Sequence, residues 1–192
     1  MKKTIFLAAF VCLMAISAFA QDKKTDFSGS WTLDVSKSKL DERARIESMT
    51  MTVTQTGKDI KVETATKRLP PPEGAGNGQG GGGGMGNGGG GMRRGGGFGG
   101  DSTTVYTLDG KETSIESDGP MGKVPVKLKA DLEKDGKLKL SSSRTFNTPN
   151  GEISATTKEV WTLSEDGKTL TVKRDSESPR GTSSSEMVFT KK

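Results

Sequence analysis

The sequence predicts an all-β protein: a single antiparallel up-and-down barrel of about nine or ten strands, interrupted by one long disordered glycine-rich loop. Three observations predict it. Apolar and polar residues alternate along most of the chain, short turn motifs separate the alternating runs, and the 3.6-residue period of helices is almost absent. A meander of that many strands has two edges to protect, and closing it into a barrel hides them.

The first twenty residues stand apart from this pattern. Met1-Lys2-Lys3 gives a positive start, Ile5 to Ile16 is an unbroken apolar run, and Ala18-Phe19-Ala20 is a small-x-small cleavage site. This is the form of a secretory signal peptide over residues 1–20. The apolar run is shorter than the about 20 residues a membrane helix needs, and nothing later in the chain reads as a span. The expectation is an exported chain, periplasmic or secreted, with one barrel domain over 21–192. Cys12, the only cysteine, lies inside the apolar run and not directly after the cleavage site, so the lipoprotein pattern is absent. The mature chain therefore has no thiol and must be held by a packed core without disulfides.

Among the strands, Val124, Val126, Leu128, Ala130 and Leu132 share one face, with Pro125, Lys127, Lys129 and Asp131 on the other. That is a half-buried antiparallel strand. Shorter stripes occur at Met49/Met51/Val53, Ile60/Val62, Leu138/Leu140, Ile153/Ala155, Leu170/Val172 and Met187/Phe189. Turn signals fall between them at Gly57-Lys58, Asp109-Gly110, Asp118-Gly119, Asp135-Gly136, Asn150-Gly151 and Asp166-Gly167.

Residues 70–100 are the Pro/Gly-rich loop. Pro70-Pro71-Pro72 opens it, and residues 73–100 hold 18 of the 27 glycines. It has too little apolar surface to offset the entropy of ordering, so disorder is expected. Lengthening a strand connection from about 4 to about 31 residues costs only roughly 2 kcal/mol of closure entropy, which a barrel tolerates. The placement is between the third and fourth strands. Arg93-Arg94 with Phe98 among glycines is too sparse a set for RNA binding. Without the two signal lysines the charge is near +3, a mixed surface with no nucleic-acid footprint.

Turn geometry fixes two registers. A two-residue Asp166-Gly167 turn pairs Leu163 with Leu170, Trp161 with Val172 and Glu159 with Arg174, all facing inward. A three-residue loop Lys134-Asp135-Gly136, with Gly136 left-handed, aligns Leu132 with Leu138 and Ala130 with Leu140, which turns Ser142 and Arg144 inward. Inward charges need a partner, water or a ligand. Two readings stand: Glu159 and Arg174 form an ion pair bracing the barrel, with Arg174 stacked on an indole, or the arginines greet an acidic ligand in a wet cavity. A carboxylate partner for Arg144, or the lack of one, separates them. Tyr106 is a further candidate for the lining, with its facing left open because Asp109-Gly110 allows two registers.

Phe27-Ser28-Gly29-Ser30-Trp31-Thr32-Leu33 resembles the Gly-x-Trp opening of the lipocalins and fatty-acid-binding proteins, the calycins. The resemblance implies that Trp31 closes one barrel end, that Gly29 and Trp31 are structural, and that a small apolar ligand sits inside. It also implies an arginine over that tryptophan, a place Arg174 would take from the penultimate strand. Trp31-Thr32-Leu33-Asp34, Lys37-Ser38-Lys39 and the Trp161 to Lys168 stretch resemble bacterial exported lipocalin-like domains of unknown function. Trp161 is the other structural aromatic. The Arg-x-Tyr clamp of the fatty-acid-binding branch is missing from the Met187 to Lys191 ending, and residues 36–48 are too few for a two-helix lid.

With no histidine in the chain and no cysteine after the signal, triads, thiol chemistry and His or Cys metal sites are excluded. The expectation is a non-enzymatic protein with no cofactor and no metal. It binds a small acidic or amphipathic molecule noncovalently through Arg144, Tyr106, Arg174 and Glu159. The alternative is an envelope or surface interaction module, with a solid barrel, that touches a partner protein through the glycine-rich loop.

Overall fold

The computed structural model describes residues 25–41, 44–70, 101–119, 122–148, 151–179 and 181–192. The expected signal peptide over 1–20 and residues 71–100 of the expected glycine-rich loop lie outside the described residues. The strands are β1 (Gly29–Leu33), β2 (Ile46–Gln55), β3 (Asp59–Arg68), β4 (Ser102–Thr107), β5 (Glu112–Gly119), β6 (Gly122–Leu132), β7 (Leu138–Thr148), β8 (Gly151–Leu163), β9 (Thr169–Ser178) and β10 (Gly181–Lys191). A 3-10 turn, Val35–Lys37, follows β1, where Asp34 accepts from the Lys37 backbone N–H at 3.3 Å.

All ten strands form one antiparallel sheet in the order β4-β3-β2-β1-β10-β9-β8-β7-β6-β5. The first strand pairs with the last, Trp31 opposite Lys191 and Leu33 opposite Phe189, which rolls the sheet into a barrel. Its two edges are β4 and β5, consecutive in the chain yet not hydrogen-bonded to each other, while β4 approaches β6. The barrel is nearly closed, the lipocalin-like fold class expected.

Both turn-derived registers are present. Leu163 faces Leu170, Trp161 faces Val172 and Glu159 faces Arg174 across β8 and β9. Leu132 faces Leu138 and Ala130 faces Leu140, with Gly136 left-handed at φ 83°. The Asp166-Gly167 hairpin differs in its turn. The Gly167 N–H bonds to the Ser164 carbonyl at 2.9 Å and only Gly167 has a positive φ, so the chain reverses over four residues in the same register. Two other turns shift. Gly119 pairs with Gly122 and Thr148 with Gly151, so Asp118-Gly119 and Gly151 belong to strands and not to the turns expected there.

The inward residues divide the barrel along its axis. One end is apolar: Trp31, Leu33, Leu138, Trp161, Leu170 and Phe189 are all buried. Residues 25–28 cross beneath it, fixed by Gln55. The Gln55 amide N–H donates to the Thr25 carbonyl at 2.9 Å, and its oxygen accepts from the Phe27 N–H at 2.9 Å. Phe27 is fully buried, edge-on to Trp161 at 6.0 Å. Its carbonyl accepts from the Trp31 indole N–H at 3.0 Å. The plug reaches across to the β6–β7 hairpin, where a Cβ on Gly136 would collide with Thr25.

Candidate functional site

Above the aromatic end, β8 and β9 bring a charged group inward. The Arg174 Nε donates to Glu159 Oε1 at 2.7 Å, and Nη2 lies 2.6 Å from the same oxygen. The Trp161 indole N–H donates to Oε2 at 2.7 Å. Arg174 Nη1 also reaches the Met187 sulfur at 3.9 Å. The two charged side chains are 15% and 13% exposed, so this is a mostly desolvated pair with both carboxylate oxygens occupied. The ion pair expected between Glu159 and Arg174 is present, with the Trp161 indole as a further donor to its carboxylate.

Tyr106 joins this group from β4. The Asp109-Gly110 turn sets no register for it, because β4 and β5 are unpaired. Its facing comes from β3, where it lies opposite buried Ile60 and therefore points inward. Burial pushes its hydroxyl well above the usual tyrosine range. The Glu159 carboxylate adds to the rise, while Arg174 and Arg144 oppose it. All four expected residues thus share one electrostatic neighbourhood, and Tyr106 stays a neutral hydroxyl at ordinary pH.

Arg144 lies opposite Val126 on one side and Ala155 on the other, two inward positions beyond Leu140, the residue facing Glu159. It is half-buried. Among the described residues no carboxylate lies within ion-pair distance of it. Its surroundings are lopsided. Toward β5 and β8 the inward face carries Val126, half-buried Phe146 and the exposed Ile115 and Ile153. Toward β9, β10, β3 and β4 it carries hydroxyls: Thr157 and Ser176 bonded at 3.3 Å, Ser183 opposite Ser176, and Thr64 with Ser102 at 2.7 Å. The apolar lip was missed from sequence, although Phe146 falls in the same alternating frame as Arg144 and Ile153 was already placed in a stripe.

Two surface concavities lie elsewhere, one bounded by Thr50, Thr52, Glu63 and Ser102, the other by Asp131 to Asp135. Neither is lined by the four inward residues. A cation over the Trp31 indole is Lys191, 5.2 Å from the ring centroid, because it faces Trp31 across the β1–β10 seam. Gly29 occupies a backbone conformation that favours glycine. Its φ is 143°, and a Cβ there would sit 2.5 Å from the Lys191 Cε. Among the described residues no set of three His, Cys, Asp or Glu gathers as a metal site, and no helix is long and apolar enough to cross a membrane.

No protein-family model matches the chain, and no curated protein matches it. A solved structure similar to it is the zebrafish ileal bile acid-binding protein complexed with cholic acid, at 16% identity and a TM-score of 0.45. The likeness covers 86% of this chain and 98% of the other.

Proposed function

We propose that this is an exported protein that binds a small, acidic, amphipathic molecule noncovalently at the open half of its barrel, with Arg144 as the anion contact. One observation carries the reading: Arg144 is an inward, half-buried cation with no carboxylate partner among the described residues. A desolvated charge without a partner is costly, and a ligand anion would relieve it. The lip of Ile115, Phe146 and Ile153 suits an apolar body beside that anion, and the facing hydroxyls suit its polar substituents. Tyr106, held neutral, is a second donor in reach of the same region. Arg174 is committed to Glu159 and serves as support. The alternative of a partner contact through residues 70–100 rests on composition alone.

Native mass spectrometry of the mature protein from its own host tests the reading. The expected result is a small-molecule adduct that disappears in Arg144→Met, while that variant keeps wild-type stability because it breaks no ion pair. An adduct retained by Arg144→Met would refute the assignment.

A further inference from the structure

Among the described residues, the half-buried charges facing inward between the apolar plug and the rim do not balance. Glu159 and Arg174 cancel each other, Tyr106 is neutral, and Arg144 is left over, a net charge of one positive. Resting on the reading above, we propose that Glu159 is the specificity-determining residue for ligand charge: by neutralising Arg174 it leaves one uncompensated cation and restricts the interior to monoanions. A dianion would bring in a second negative charge with no second cation to answer it. Glu159 performs this without touching the ligand. Both of its oxygens are occupied, Oε1 by the guanidinium of Arg174 and Oε2 by the Trp161 indole. Arg174 in turn is held away from the rim by its bonds to Glu159 and its contact with Met187.

Without the carboxylate charge, two cations would face the same space, Arg144 from β7 and Arg174 from β9. Both flank β8 on its inward face, Arg144 opposite Ala155 and Arg174 opposite Glu159. The preference would then move toward dianions such as phosphate monoesters.

Isothermal titration calorimetry at pH 8, below micellar concentrations, compares octyl sulfate, a monoanion, with octyl phosphate, close to a dianion because its second pKa is about 6. The wild type should prefer octyl sulfate by about tenfold, the scale of one uncompensated charge at partial burial. Glu159→Gln keeps an acceptor for the indole and should shift the ratio toward octyl phosphate by about tenfold. Glu159→Gln with Arg174→Gln restores a single net cation and should bring the ratio back. Should Glu159→Gln fail to fold, Arg174→Gln alone leaves the interior neutral and should weaken octyl sulfate about tenfold with Arg144 intact. An unchanged ratio in Glu159→Gln, with octyl sulfate still bound through Arg144, would overturn the charge-setting role alone. No binding of either probe by the wild type would instead defeat the functional reading on which it rests.

Discussion

Replacing Arg174 with methionine leaves the apolar stem roughly filled but takes two charge-assisted contacts from Glu159, at 2.7 and 2.6 Å to the same oxygen. The carboxylate keeps only the Trp161 indole donor. Breaking a fully buried pair by removing one partner costs roughly 3–5 kcal/mol. Glu159 is 13% exposed, so water reaches part of the stranded charge and the expected loss is lower, about 2–3 kcal/mol. For a chain of this size that is a fall in Tm of roughly 5–10 °C. Urea unfolding followed by tryptophan fluorescence measures it, with an unchanged slope expected if only stability moves. Glu159→Gln with Arg174→Met should recover most of the loss, since no charge is then stranded. An Arg174→Met variant within about 0.5 kcal/mol of wild type, below the ordinary cost of even one such hydrogen bond, would refute the claim that this pair braces the barrel.

Phe27→Ala should cost about 3–4 kcal/mol, because a fully buried ring packed edge-on against Trp161 is removed, and denaturant unfolding would show it. Gly136→Ala and Gly167→Ala both force alanine into a left-handed backbone, about 1–2 kcal/mol, but only Gly136 has a neighbour, Thr25, in the way. Gly136→Ala should therefore be the more damaging, and Thr25→Gly should remove the difference; equal losses would disprove the plug contact. Tyr106 is the only tyrosine, so ultraviolet titration reports it alone. Its raised folded-state pKa means the unfolded chain loses its proton first, so the contribution is complete below about pH 10 and declines above it by roughly 1.4 kcal/mol per pH unit. Tyr106→Phe should remove that component of the alkaline loss, and a tyrosinate midpoint near 10 in the folded protein would contradict its burial.

The parts of the site legible in the sequence are those set by local pairing. Glu159 and Arg174 are joined by one hairpin whose apolar residues match in only one register, so even a different turn preserves the alignment. Arg144 follows from the left-handed Gly136 in the same way. Tyr106 was open because its register comes from β3, across the long glycine-rich connection, and the nearer turn joins two strands that never pair. Phe27 was read only as the start of the Gly-x-Trp stretch, and its burial was not foreseen because it lies before the first strand. Lys191 was missed as the cation over Trp31 because the β1–β10 seam joins the two most distant strands, and no turn fixes that register. Gly119 and Gly151 misled because glycine was read as punctuation where it ends a strand.

The break in the barrel and its seam sit in opposite places in the chain. The ladder is interrupted where sequence neighbours meet, at β4 and β5, and is continuous where the first and last strands meet. Cutting the chain at Asp109-Gly110 would sever no strand pairing, and the first and last described residues lie at the same plugged end of the barrel, Thr25 bonded to Gln55 and the Lys192 N–H bonded to the Ser30 carbonyl at 2.9 Å. Joined there by a short linker, the circularly permuted chain would run from β5 through β10 and β1 to β4 as an unbroken meander. Every strand would then pair only with its immediate predecessor and successor. In the natural order the β1–β10 seam must wait for nearly the whole chain, a long-range closure of the kind that slows folding. The permuted protein should reach the same barrel faster, as stopped-flow refolding of the two chains would measure.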